Sequence, residues 1–155
     1  MSFKDAVSLV PTSVSVVSCM DVSNIYACTI SSLVSVDISE ESPTIMFVLS
    51  KNSQIGAKIQ SLRDFTINVL SEDLQEAAIK YSTTKEPEVL SSQTWEIQNN
   101  RFAALIGSRT IFCCSFNRTY SDQTADIYIA TVINYHFNAK IKPLIYDSRK
   151  FGGLI

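Results

Sequence analysis

A mainly β fold is what this sequence predicts: an antiparallel barrel carrying a few short helices. Three observations lead there. Runs of β-branched and aromatic residues at strand density dominate both the first and the last third of the 155 residues. Successive runs in the first third are separated only by short turn-forming sets, as hairpins require. Helical stretches are inserted between the strands and do not alternate with them regularly, which argues against a parallel α/β sheet.

The elements follow in order. Ser2 is of N-cap type, and Phe3, Val7 and Val10 come at helical spacing, so residues 2–9 read as a short helix stopped by Pro11. The period then becomes two. Val14, Val16 and Ser18 alternate with Ser13, Ser15 and Val17, and Ile25–Ile30 follows after Asp21-Val22-Ser23-Asn24, giving a hairpin. Leu33, Val34 and Val36 make a third strand. The Ser- and Glu-rich stretch 37–43 turns the chain into Thr44–Leu49, read as a buried fourth strand.

Ser53 is placed to cap a helix with Ile55, Ile59 and Leu62 on one face, and the strand Phe65–Leu70 comes next. A further helix starts after Ser71, with acids in its first turn and Leu74, Ala77, Ala78 and Tyr81 along one side. Residues 82–100, rich in Ser, Thr, Glu and Asn, read as a long surface excursion in which Trp95 is the one anchor. Loops of that length often cover a site or a partner. Arg109–Phe116, Ile127–Phe137 and Pro143–Tyr146 return to strand density, for roughly eight strands and three short helices in a single domain spanning 1–155.

Composition narrows the function. A net charge of −2 supplies no field for polyanions, so nucleic acid is not an expected partner. Charged residues make up 18%, below the ~25% usual for soluble domains, which points towards an oligomer. Four scattered glycines cannot build a phosphate-cradling glycine loop, and one histidine, His136, cannot build a His-rich metal site. His136 itself reads as a hydrogen-bonded histidine of a barrel strand. Cys19, Cys28, Cys113 and Cys114 lack C-x-x-C spacing, and the last two should point to opposite faces of a strand; they read as reduced, partly buried thiols of a cytoplasmic protein. No apolar run approaches the ~20 residues of a membrane span.

Two clusters carry chemistry. Ser50-Lys51-Asn52-Ser53-Gln54 puts a cation, hydroxyls and the free N–H groups of a helix start at one point, which is the makings of an anion site and equally an ordinary helix cap beside a surface lysine. Thr29-Ile30-Ser31-Ser32 ends a strand with three small hydroxyls, as a polar turn also would. Each gains meaning only if the two converge.

These segments carry a resemblance. Val14-Ser-Val-Val-Ser18, Ala27-Cys-Thr-Ile-Ser-Ser-Leu-Val-Ser-Val36, Pro43–Ser50, Ser53-Gln-Ile55 and Phe65–Leu70, followed by Asp122-Gln-Thr, Ile127–Val132 and Pro143–Phe151, resemble the flavin reductase-like, FMN-binding split-barrel family over nearly the whole chain. The resemblance implies a homodimeric split barrel holding FMN, or FAD through its FMN half, near the dimer interface. It implies flavin contacts from Cys28 (through its backbone), Thr29, Ile30, Ser31 and Ser32, phosphate-side contacts from Ser50, Lys51, Ser53 and Gln54, and a returning tail bearing Tyr146 and Arg149. The implied activity is NAD(P)H-dependent flavin reduction, hydride passing from the nicotinamide to the flavin, with reduced flavin supplied to a flavin-dependent monooxygenase. The cofactor carries such chemistry, so no catalytic side chain is expected.

Departures from the pattern sharpen the alternatives. Ser121-Asp122-Gln123 stands where many family members have Gly-Asp-His, which makes Gln123 the residue to face the nicotinamide. Thr83-Thr-Lys-Glu-Pro87 replaces the family's Phe-x-Gly segment after Tyr81. The competing function is an FMN-binding or electron-transfer protein without nicotinamide-dependent activity; a third is a barrel that binds no flavin. Cys28 is explained equally by packing.

Overall fold

Ser2 and Asp5 close the first helix reciprocally. In the computed structural model, which describes residues 1–154, the Ser2 hydroxyl accepts from the Asp5 amide and the Asp5 carboxylate accepts from the Ser2 amide, capping α1 (Phe3–Ser8). After β1 (Thr12–Ser13), the expected hairpin is β2 (Ser15–Asp21) and β3 (Asn24–Ile30), paired from Ser15↔Ile30 to Asp21↔Asn24. β4 (Val34–Asp37) and β5 (Thr44–Ser50) follow, then α2 (Gln54–Leu62), which buries Ile55 and Ile59 as its spacing predicts. β6 (Asp64–Val69) leads through a 3-10 turn at Glu72–Leu74 into α3 (Gln75–Thr83).

The excursion expected over 82–100 is partly ordered into strands. β7 (Glu88–Val89) adds to the free edge of β3, and β8 (Trp95–Gln98) pairs with β9 (Phe102–Leu105). Asn99 and Asn100, both at positive φ, form the turn between β8 and β9, with the Arg101 amide donating to the Gln98 carbonyl at 3.1 Å. β10 (Thr110–Ser121) and β11 (Ala125–Phe137) run further than the sequence suggested, and β12 (Leu144–Asp147) pairs with β13 (Lys150–Gly153), a strand the sequence reading missed.

Eight strands form one antiparallel sheet in the order β4-β5-β11-β10-β6-β2-β3-β7. Its concave face, closed by α2, holds Val17, Phe47, Ile59, Phe65, Ile67, Cys114 and Tyr128. β3 and β5 are not laddered together. The Val48 amide instead donates to the Ser32 hydroxyl at 2.9 Å, so the sheet curls towards closure and stays split there. A second core forms on the outside, where Val14, Val16, Ile25 and Leu70 meet Ala78 and Tyr81 of α3 and Trp95, Ala103 and Leu105 of the β8–β9 hairpin. β2 is therefore buried on both faces, which is why Val14-Ser-Val-Val-Ser18 does not alternate cleanly.

Three expectations are corrected. β5 is buried on one face only, through Ile45, Phe47 and Leu49, while Val48 on its other face is exposed. Trp95 is the expected anchor, 2% exposed in the second core, but it stands in strand β8 and not in a loop. His136 is an exposed residue of β11 with no side-chain hydrogen bond among the described residues. The cysteines are all free; Cys114 packs into the concave core while the Cys113 thiol turns towards Gln98, the opposite facings expected. No described helix is long and apolar enough to cross a membrane.

Candidate functional site

The first cluster lines a cleft that the second, Thr29–Ser32, only borders through Cys28. This cleft of about 450 Å³ lies between the middle of β3, the turn from β5 into α2, and the end of α3, and is lined by Ala27, Cys28, Ser50, Asn52, Ser53, Gln54 and the segment Tyr81–Glu86, among others. That volume is within the range of small-molecule sites. Ser53 is the N-cap of α2, yet its hydroxyl makes no capping bond, so the first N–H groups of the helix and a free hydroxyl open on the cleft together.

Gly56 sets how closely that helix start lies on the sheet. A Cβ there would collide with the Tyr128 hydroxyl, and Tyr128 is buried, stacked on Phe47 with ring centroids 5.3 Å apart. The helix therefore approaches β11 as only glycine permits. The Gln60 amide donates to the same hydroxyl at 3.2 Å and fixes the next turn.

Of the residues singled out in the sequence, Cys28, Ser50, Ser53 and Gln54 line the cleft directly. Burial pushes the Cys28 thiol up, so it is a neutral wall group. Thr29 adjoins them, but its hydroxyl donates to the Ala78 carbonyl at 2.7 Å and ties β3 to α3. The Ser32 hydroxyl is engaged with Val48, Ile30 is buried in the concave core, and Ser31 is exposed at the end of β3. What this turn offers outward is thus backbone and the Ser31 hydroxyl.

Lys51 does not line the cleft. Its ammonium is 3.0 Å from Asp126 Oδ1, and the same oxygen accepts the Ser121 hydroxyl at 2.8 Å. Those hydrogen bonds, from Lys51 first, hold the Asp126 carboxyl below its usual range. The Lys51 amide also donates to the Thr124 carbonyl, so the β10–β11 hairpin tip carrying exposed Gln123 abuts the Ser50–Gln54 turn. Tyr146 and Arg149 are not brought to the cleft within one chain. Tyr146 packs on Phe151 beside the second core, and Arg149 is paired with Asp5 of α1.

Tyr26 and Ser82 were not singled out in the sequence, whereas Asn52 belongs to the Ser50–Gln54 cluster and Thr83–Glu86 to the segment that replaces the family's Phe-x-Gly. The length of the excursion after Tyr81 and its departure from the family pattern both signalled a cover. The Tyr81–Glu86 wall is anchored by Glu88, whose carboxylate accepts from Lys80, Tyr81 and Trp95, the last at 2.8 Å. Burial alone would raise the Glu88 carboxyl; these three donors outweigh it and hold it low.

Solved structures share this architecture. The flavin reductase component BorF of a bacterial two-component tryptophan halogenase superposes with a TM-score of 0.86 at 23% identity, covering 97% of this chain and 95% of that one. The NADH:FAD oxidoreductase SgcE6 of Streptomyces globisporus C-1027 gives 0.87 at 18%, covering 98% and 91%. The styrene monooxygenase flavin reductase SMOB of Pseudomonas putida S12 gives 0.84 at 21%, covering 100% and 98%. No curated protein sequence matches significantly. At these identities the likeness establishes the fold, a split barrel. The model of the flavin reductase like domain, however, matches residues 7–154 of the sequence itself, and the chain therefore belongs to the flavin reductase like domain family.

Proposed function

We propose that the protein is an NAD(P)H-dependent flavin reductase acting on FMN or FAD. The observation that carries the reading is the cleft, where an uncapped helix start, the Ser53 hydroxyl and the Ser50–Asn52 turn face the β3 backbone at the seam of a flavin reductase like barrel. A bound flavin supplies the redox chemistry by accepting a hydride from the nicotinamide. The chain's part is to bind and orient. The α2 N–H groups and Ser53 take the flavin's phosphate side; the Ala27–Ser32 strand end presents fixed N–H donors to the polar edge of the ring; and the Tyr81–Glu86 wall excludes water. Gln123, at the abutting hairpin tip, offers amide donor and acceptor groups to the nicotinamide and does not titrate near neutrality.

Support comes from SgcE6, also crystallised with NAD and FAD fragments, and from relatives that serve a halogenase and a styrene monooxygenase. By that analogy reduced flavin goes on to an oxygenase component. Ser53→Ala tests the phosphate end: loss of one hydrogen bond should weaken FMN binding about tenfold in a fluorescence titration. Unchanged affinity would remove the helix start from the site.

The protein is also proposed to work as a homodimer. Val34 and Val36 of β4 and Ile133, Tyr135 and Phe137 of β11 are exposed on strands separated only by β5. So much neighbouring apolar surface is the mark of an interface. Light scattering at micromolar concentration should give twice the chain mass; the mass of one chain would contradict the proposal.

A further inference from the structure

Resting on the flavin reading above, we infer that Asp126 sets the cleft's selectivity among flavins by holding the Lys51 ammonium away from the phosphate position. Ser50 and Asn52, the residues on either side of Lys51, both line the cleft, while Lys51 does not. Its side chain is drawn to Asp126 Oδ1 at 3.0 Å and its amide to the Thr124 carbonyl at 3.1 Å. Asp126 is itself held in place by the Ser121 hydroxyl and by its position in the β5–β11 ladder opposite Leu49. Among the described residues the one cation that lines the cleft is Lys85, and Glu86 lines it beside Lys85. The phosphate end is therefore built from neutral donors, with a paired, charge-neutral Lys51–Asp126 couple at its edge.

The consequence depends on ligand charge. A terminal phosphate carries about −1.5 to −2 at pH 7. FAD's diphosphate carries a similar total but spreads it as one charge on each phosphate, so only about half of it lies at the position of the FMN phosphate, and unphosphorylated riboflavin carries none. Coulomb energy scales with the charge product, so withholding the lysine penalises FMN most, FAD less and riboflavin not at all. The arrangement favours the dinucleotide over the mononucleotide.

The test measures affinities of the wild type, Asp126→Asn and the double variant Lys51→Ala/Asp126→Asn for FMN, FAD and riboflavin by fluorescence titration at low and high salt. Asparagine keeps the Ser121 hydrogen bond and removes the charge that holds Lys51. Asp126→Asn should tighten FMN about tenfold by adding a charge-assisted contact, tighten FAD by a smaller factor and leave riboflavin unchanged. The FMN gain should shrink in high salt and vanish in the double variant. Equal changes for all three flavins, weaker FMN binding, or a gain that survives without Lys51 would each overturn the inference. A wild type that binds none of the three flavins would instead overturn the flavin reading on which it rests.

Discussion

Trp95→Ala is expected to lower stability by about 4–5 kcal/mol, near the upper end for a single core truncation. Trp95 is the largest of the fully buried side chains, and it packs in the second core with its ring tilted on Tyr81 at 5.8 Å between centroids. The indole N–H also donates to Glu88 at 2.8 Å. Removing the ring leaves a cavity and takes one of three donors from a half-buried carboxylate that burial already disfavours. The Tyr81–Glu86 wall of the cleft hangs on the same carboxylate, so flavin affinity should fall along with stability. Trp95 is the only tryptophan, so unfolding is followed by circular dichroism in denaturant. A loss below about 1 kcal/mol would mean that the second core does not depend on it.

Asn68→Ala should cost about 3 kcal/mol, chiefly through lost hydrogen bonds, with a smaller share from the cavity left behind. Asn68 is fully buried, donates to the Val16 carbonyl at 2.9 Å and the Ser18 hydroxyl at 3.0 Å, and accepts from the Leu105 amide at 2.8 Å. Ser18 in turn donates to the Ala103 carbonyl at 2.7 Å. This chain of bonds fastens the β8–β9 hairpin to the outside of the main sheet. Alanine leaves the Leu105 amide buried without a partner, the costly half of the loss. Because Asn68 and Ser18 share one network, Ser18→Ala should cost less on the Asn68→Ala background than alone, a shortfall that thermal denaturation of the four proteins would show. Additive losses would indicate that the two act separately.

What the sequence revealed follows from how locally each feature is determined. β2 and β3 announce themselves through β-branched runs on either side of a short turn, and α2 through Ile55, Ile59 and a serine cap, so both were placed within a residue or two. β9 escaped because Ala103 and Ala104 have little strand preference and are buried by partners remote in sequence. The Asn99-Asn100 pair, which prefers positive φ, was the signal available for that hairpin. The Ser53 helix start was legible as a cluster of free donors because the relevant groups are consecutive. The removal of Lys51 from the cleft was not, since its partner Asp126 lies 75 residues away and only the β5–β11 register brings them together. Thr29 and Ser32 show the same limit: a hydroxyl's residue type is visible in the sequence, but the Ala78 carbonyl and the Val48 amide that occupy it are not.

Reduction of flavin by a nicotinamide nucleotide is measured by anaerobic stopped-flow mixing of the flavin-loaded protein with NADH and with NADPH, following the visible flavin absorbance. At least one nucleotide should bleach the flavin, and in air the same mixture should turn over repeatedly. Flavin that stays bound and oxidised for minutes with either nucleotide would contradict the reductase and leave a flavin-binding barrel in its place.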